Sequence, residues 1–202
     1  MTIQPSIACE PAATVAQASH LPGESKAQLR HALLALRAAT PSDVRQAWDA
    51  AIGRNLLDWL DARTVTLLGV YWPIRAEPDL RATFEELAAA GIALALPVVT
   101  GADTPLQFAG WTPGASLVFD RWGIATPETI DLVTPQALLI PCIGFTPQRH
   151  RLGYGGGFYD RTLADKPRPQ AIGIAYASGC TAFAAGPHDI AMDVVITERP
   201  PA

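Results

Sequence analysis

The chain has 202 residues, of which 49% are apolar and 17% charged, and its formal net charge is −4. This length and composition predict one globular domain with a buried core and exclude a disordered chain. The net negative charge gives no basic surface for nucleic acid, and no apolar run is long enough to cross a membrane.

The amino-terminal residues predict a flexible tail. Residues 1–22 are rich in Ala, Ser, Thr, Pro and Gln, and we expect them to precede a single domain over residues 23–202. Residues 1–20 contain no Lys or Arg, so the charged start of a signal peptide is missing. Three widely spaced cysteines give no metal-ligand cluster and favour a reducing, cytoplasmic location.

Two helices are predicted next. Leucines at near-helical spacing predict a first helix that begins near Glu24. Lys26 and Arg30 lie four residues apart and therefore share one face of it, for which spacing alone favours a solvated basic face. Thr40 is the expected cap of the second helix, with Pro41 at its first position.

The middle of the chain predicts a βαβ unit. Residues 65–72 are apolar and β-favouring, residues 79–90 suit a helix, and residues 92–99 form the next strand. This order predicts two parallel strands with a right-handed crossover. The loop that contains Glu77 then follows the carboxyl end of the first strand, where such sheets bind ligands.

The remaining segments complete a mainly parallel sheet. Residues 119–127 are predicted as a loop that carries Arg121 and Trp122, and residues 187–189 as a polar turn. Further strands are expected over residues 106–111, 137–145, 170–176 and 194–197. The fold class is therefore α/β, as a single three-layer αβα domain.

One glycine-rich stretch follows the strand predicted over residues 137–145. It reads Arg151-Leu152-Gly153-Tyr154-Gly155-Gly156-Gly157-Phe158-Tyr159-Asp160-Arg161. A strand, a glycine-rich turn and a helix present backbone N–H groups to an anion, and the two arginines match phosphate geometry. A turn without a ligand is the alternative, but this many glycines favours an anion site. The spacing matches neither common phosphate fingerprint.

This stretch resembles the signature of the 5-formyltetrahydrofolate cyclo-ligases, also called methenyltetrahydrofolate synthetases. The resemblance implies a fold like that of ribose-5-phosphate isomerases and CoA transferases. It also implies ATP-dependent cyclisation of 5-formyltetrahydrofolate to 5,10-methenyltetrahydrofolate, with ADP and phosphate released. ATP and Mg²⁺ are the implied cofactors, and we expect a cytoplasmic monomer.

The resemblance also implies roles for individual residues. Lys26, Arg151 and Tyr159 are the implied catalytic residues. Asp160 and Asp189 are the implied Mg²⁺ ligands, although Asp160 could instead cap the helix or pair with Arg161. The implied ATP site comprises Lys26, Arg30, Arg151, Gly153, Tyr154, Gly155, Gly156, Gly157, Phe158, Tyr159 and Asp160.

Folate binding is implied for Glu77, whose carboxylate can accept two hydrogen bonds from a flat donor edge such as a pterin. The alternative for Glu77 is a surface loop acid or a charge in the first turn of a helix. Tyr154 is implied to line the same site. Tyr71 and Trp111 could stack on a pterin, but core packing explains them equally well.

Two departures from the family pattern concern the loop before the glycines. Thr146 stands where an aspartate is usual, and Arg149 stands where a turn glycine is usual. His150 beside them is either catalytic or simply solvent-facing. A non-catalytic folate- or nucleotide-binding paralogue and a phosphosugar isomerase on the same fold therefore stay open as alternatives.

Overall fold

The computed structural model describes residues 25–120 and 123–200. The tail predicted over residues 1–22 lies outside the described residues, as do Arg121 and Trp122, so the division into tail and single domain stays a prediction. The helices are α1 (Lys26–Ala39), α2 (Ser42–Asp61), α3 (Arg81–Ala89) and α4 (Phe158–Ala164). The strands are β1 (Leu67–Gly69), β2 (Ala93–Val98), β3 (Gln107–Trp111), β4 (Leu117–Phe119), β5 (Ala125–Pro127), β6 (Leu132–Val133), β7 (Ala137–Pro141), β8 (Gly144–Phe145), β9 (Arg151–Leu152), β10 (Gln170–Ile174) and β11 (Val194–Ile196).

A capping box starts α1. The Ser25 side chain accepts a hydrogen bond from the Gln28 N–H, and the Gln28 side chain accepts one from the Ser25 N–H. The predicted cap of the second helix is wrong. Thr40 ends α1, because its N–H and its hydroxyl donate back to carbonyls of that helix, and Pro41 takes the cap position of α2.

The central sheet has the strand order β11-β10-β7-β1-β2-β3-β6. The strands from β11 to β2 are parallel neighbours, and β3 then pairs antiparallel with both β2 and β6. The predicted α/β fold with a mainly parallel sheet is confirmed, and so is the parallel βαβ unit formed by β1, α3 and β2.

Helices cover both faces of this sheet. Successive residues of a strand point to opposite faces, and Leu94 and Leu96 of β2 join one buried cluster while Ala95 joins another. The first cluster contains Ile52 of α2 and Phe84 of α3, and the second contains Leu163 of α4. None of the described helices has the length and apolar character needed to cross a membrane.

Two predicted segments differ from the structure. Residues 119–127, predicted as a loop, contribute to a hairpin of β4 and β5. Residues 137–145, predicted as one strand, divide after Pro141, and β8 pairs with β9 outside the main sheet. The division brings the chain beneath α1, where a side chain at Gly144 would meet Leu33 at 2.6 Å. Leu29 and Leu33 of α1 pack there on Ile143 and Leu152.

Candidate active site

The carboxyl ends of β1 and β7 lie side by side in the sheet. The chain leaves β1 through α3 toward β2, on one side, but leaves β7 through α4 toward β10, on the other. Open parallel sheets bind ligands where the strand order reverses in this way. Glu77 follows β1, and the glycine-rich turn follows β7, so both predicted sites belong to this reversal.

The glycine-rich turn connects β9 directly to α4. Gly155 has φ +96° and Gly157, which precedes α4, has φ +65°, a region of backbone that favours glycine. A side chain at Gly153 would meet nothing within 4 Å, and one at Gly155 would meet only the guanidinium of Arg30 at 3.7 Å. The turn therefore presents open backbone beside a cation.

Two cations of α1 and one of β9 lie at this turn or at the carboxylates beside it. Arg30 Nε donates to the Gly153 carbonyl at 2.7 Å. Lys26 Nζ lies 2.5 Å from Asp189 Oδ2, and Arg151 Nη2 lies 2.7 Å from Asp160 Oδ2. The basic pair on α1 thus faces the glycine-rich turn, and an anion-binding pocket is what such an arrangement can form.

Asp160 and Asp189 lie close to each other, beside the glycine-rich turn. The Ile190 N–H, next to Asp189, donates to Asp160 Oδ1 at 3.0 Å. Asp160 pairs with Arg151 rather than Arg161, whose guanidinium donates instead to the carbonyls of Ala102, Thr104 and Gly156. Partial burial favours a raised pKa for Asp189, but bonds from Lys26 and the Gly186 N–H outweigh it and hold the pKa below its usual value.

These two carboxylates fit Mg²⁺ only in a particular way. Among the described residues, no group of three or more His, Cys, Asp or Glu side chains could hold a metal ion. Mg²⁺ commonly takes one or two protein carboxylates and completes its shell with phosphate oxygens and water. The donors present therefore fit a metal ion that arrives with a phosphorylated ligand.

Glu77 is buried, with 4% of its surface exposed, rather than being a surface loop acid. The Ile74 N–H donates to its Oε2 at 2.9 Å, and two residues of the loop, Arg75 (φ +48°) and Ala76 (φ +56°), are left-handed. Burial raises the pKa of Glu77, against the hydrogen bonds from Ile74 and Tyr154 and the charges of Arg37 and Arg75.

Sequence reasoning missed Arg37, which this arrangement brings close to Glu77. Arg37 is 5% exposed, and its Nη2 donates to the Cys142 carbonyl at 2.5 Å. The signal was present in the sequence, because Lys26, Arg30 and Arg37 are four and seven residues apart and so lie along one stripe of α1.

The predicted aromatic residues separate into two groups. Tyr154 is 38% exposed, and the Arg75 guanidinium lies 5.2 Å from its ring centre. Tyr159 is half-buried and lies against Arg151, 5.9 Å away. Tyr71 and Trp111 are core residues: the Tyr71 hydroxyl donates to the Pro78 carbonyl at 2.6 Å, which favours packing over stacking on a ligand.

The two departures from the family pattern preserve a tight turn. The Thr146 hydroxyl accepts a hydrogen bond from the His150 N–H, and the Arg149 N–H donates to the Thr146 carbonyl. Arg149 has φ +66°, so it occupies the backbone conformation for which glycine is suited. His150 is half-buried in this turn and takes part through its backbone.

Comparison with known proteins places this geometry in a family. The model of the 5-formyltetrahydrofolate cyclo-ligase family matches residues 22–198. A 5-formyltetrahydrofolate cyclo-ligase of Mycolicibacterium smegmatis is 34% identical over 190 residues, which cover 87% of this chain and 94% of the relative. One of Mycoplasma pneumoniae is 30% identical over 177 residues, covering 86% and 99%.

Solved structures give the same result. A 5,10-methenyltetrahydrofolate synthetase from Mycoplasma pneumoniae aligns with a TM-score of 0.72 and 27% identity, over 87% of this chain and 100% of that one. The synthetase of Aquifex aeolicus aligns with a TM-score of 0.75 and 26% identity, over 86% and 90%. The chain therefore belongs to the 5-formyltetrahydrofolate cyclo-ligase family.

Proposed function

We propose that this protein is an enzyme that uses ATP to convert 5-formyltetrahydrofolate to 5,10-methenyltetrahydrofolate, with ADP and phosphate as the other products. The observation that carries the proposal is the convergence of Lys26, Arg30 and Arg151 on an open glycine-rich turn, beside the buried carboxylate of Glu77. The cations at the turn suit an anionic ligand, and the Glu77 carboxylate suits a flat ligand with several hydrogen-bond donors. Both lie where the strand order reverses between β1 and β7.

ATP would bind along the glycine-rich turn. The backbone N–H groups of residues 153–157, together with Tyr154, Phe158 and Asp160 at its edge, would surround the phosphates. Lys26, Arg30 and Arg151 would neutralise their charge, and the ion pairs with Asp189 and Asp160 hold two of these cations in place beforehand. Tyr159 would fix the position of Arg151, against which its ring packs.

Asp160 and Asp189 would hold Mg²⁺ together with phosphate oxygens. The ion would supply further charge neutralisation for the transferred phosphoryl group.

The folate would bind against the loop that carries Glu77. The Glu77 carboxylate would accept hydrogen bonds from ring and amino N–H groups of the pterin, with Tyr154 nearby. Tyr71 would support this loop from the core through its bond to Pro78, and Trp111 would do so through its edge contact with Trp72.

Ring closure then requires that the formyl oxygen, which is a poor leaving group, be activated. The formyl oxygen attacks the γ-phosphorus of ATP, and ADP leaves. N10 of the folate attacks the phosphorylated formyl carbon and loses its proton, and the formyl oxygen departs with inorganic phosphate. The protein holds the two ligands in line and neutralises charge, so it needs no covalent nucleophile.

A product assay with omissions tests this function. The purified protein is incubated with 5-formyltetrahydrofolate, ATP and Mg²⁺, and the near-ultraviolet absorbance of the methenyl product is followed. We expect product only when both ATP and Mg²⁺ are present. Folate-dependent thermal stabilisation without product would indicate the non-catalytic paralogue. We further expect a cytoplasmic monomer, and light scattering after size-exclusion chromatography would check the oligomeric state.

A further inference from the structure

Arg37 has a buried hydrogen-bond donor without a partner. Its Nη2 is taken by the Cys142 carbonyl, whereas Nη1 is inaccessible to solvent and bonds to no acceptor among the described residues. Buried polar groups in folded proteins are nearly always satisfied, so an unused guanidinium N–H requires an explanation. A ligand atom that reaches Nη1 during the reaction would supply one.

Tyr154 connects Arg37 to Glu77. Its hydroxyl interacts with both side chains, and the positive charge of Arg37 favours the ionised form of Glu77. The two charged groups are almost fully buried, whereas Tyr154 is 38% exposed. Because the Tyr154 hydroxyl interacts with both Arg37 and Glu77, these two side chains are close enough to bind adjacent atoms of a single ligand ring.

The chemistry of the two groups is complementary. A carboxylate can only accept hydrogen bonds, and a guanidinium can only donate them. Together they match an edge that presents N–H donors next to a carbonyl oxygen. A 4-oxopterin ring, the head group of folates, has such an edge.

We infer that Arg37 is a specificity-determining residue that donates from Nη1 to the ring carbonyl of the folate, while Glu77 accepts from the adjacent ring N–H and amino group. This inference rests on the proposed function. In the free protein the Tyr154 hydroxyl lies next to that position, where it interacts with Glu77 and Arg37 but leaves Nη1 without an acceptor in the described part of the chain. Substrate binding displaces it, and the glycines on either side, Gly153 and Gly155, allow the backbone to rotate.

A pair of ligands tests the inference without ATP. Calorimetry measures the affinity of 5-formyltetrahydrofolate and of the analogue whose ring oxo group is replaced by a thioxo group, which keeps the adjacent ring N–H for Glu77 but is a weaker acceptor. The wild-type protein is expected to prefer the oxo ligand by about five- to ten-fold, as for the loss of part of a charged hydrogen bond. Arg37→Met should reduce that preference to less than about two-fold.

Controls separate recognition from structure. Arg45→Met removes another α-helical arginine that donates to a backbone carbonyl, that of Thr40, and should keep the full preference. If Arg37→Met does not fold, Arg37→Lys decides, because one ammonium group cannot bind the Cys142 carbonyl and the ligand with the same fork geometry. Tyr154→Phe should bind the oxo ligand at least as tightly as the wild type.

Several outcomes would overturn the inference. A wild-type protein without preference, or an Arg37 variant with the full preference, would show that Nη1 does not contact the ring carbonyl. A loss of affinity in Tyr154→Phe of ten-fold or more would contradict displacement of the hydroxyl. An active enzyme with either result leaves the proposed function intact, whereas a wild type that binds neither ligand contradicts both proposals.

Discussion

Glu77 keeps an ionisable carboxyl group where little solvent reaches it. Burial raises its pKa above the usual 4.5, and the Ile74 N–H, Tyr154, Arg37 and Arg75 only partly offset this effect. Because its folded-state pKa is raised, the protonated form is favoured by folding, and the ionised form at neutral pH costs stability. A carboxylate retained at such a cost is consistent with its being needed for a ligand.

Acidification should therefore weaken folate binding. Only the ionised Glu77 carboxylate can accept hydrogen bonds from two donors. Because its pKa is raised, Glu77 becomes protonated at a higher pH than an ordinary glutamate does. We expect folate affinity to fall up to about ten-fold per pH unit below the raised pKa. Calorimetry from about pH 8 to pH 5 would measure it.

Glu77→Gln serves as the control for that titration. Its folate affinity should be about five- to a hundred-fold lower at neutral pH and nearly independent of pH, with ATP affinity kept. An unchanged folate affinity in this variant would mean that Glu77 does not contact the substrate.

Lys26 should matter chiefly for the ATP-dependent step. Lys26→Ala removes a charge beside the turn and leaves Asp189 without its partner, so we expect turnover to fall by about a hundred-fold. Lys26→Arg should not restore it fully, because a planar fork replaces a compact charge. Steady-state kinetics with varied ATP would decide, with Lys166→Ala, an exposed lysine after α4, as control. If Lys26→Ala kept the wild-type kcat and the wild-type KM for ATP, Lys26 and Arg30 would be part of a solvated basic face and not of the ATP site.

At the scale of elements, the glycine-rich turn depends on two particular glycines. Gly155 and Gly157 are left-handed, whereas Gly156 is not, and a side chain at Gly156 would instead meet the Phe158 ring at 2.9 Å. Gly155 is the informative position, since its φ is +96° and Arg30 is its nearest neighbour.

Gly155→Ala should fold but lose most of its turnover. The left-handed backbone costs about 1–2 kcal/mol with a side chain, which a domain of this size survives. Displacement of the turn on the order of 1 Å costs about a hundred-fold in rate. Gly91→Ala is the matched control, because Gly91 has φ +89° in open space after α3. Equal melting temperatures and equal turnover in the two variants would contradict a phosphate-binding role for the turn.

The Glu77 loop contains strain that glycine would relieve. Ala76 has φ +56°, and Ala76→Gly should raise the free energy of unfolding by up to about 1 kcal/mol, after the entropy of the unfolded chain is counted. Ala50→Gly, within α2, should lower it by about 1 kcal/mol. Chemical denaturation would compare the two, and an equal loss in both would show that the loop is unstrained.

Residue patterns over short stretches of sequence predicted those elements that depend on neighbouring residues. The βαβ unit and the glycine-rich turn follow from periodicity and residue type, and the family signature led to Lys26 and Arg30. Thr40 was assigned to the wrong helix because it can bond to either side of a turn. Arg37 was missed because burial of a charged side chain is decided by tertiary packing, here the packing of α1 on Ile143 and Leu152.

For the whole molecule, the reversal of strand order between β1 and β7 explains why one site draws on the chain from Lys26 to Asp189. It places the Glu77 loop beside the residues that follow β7, while α1 and the turn before β11 supply the remaining charges. The central claim of the proposed function is that ATP activates the formyl oxygen at this place.

Isotopic labelling tests that claim directly. 5-Formyltetrahydrofolate carrying oxygen-18 in its formyl group is converted with unlabelled ATP in unlabelled water, and the released phosphate is analysed by mass spectrometry. If the formyl oxygen attacks the γ-phosphorus, each methenyl product is accompanied by one phosphate that contains one labelled oxygen. Unlabelled phosphate formed in equal amount with the methenyl product would contradict the mechanism.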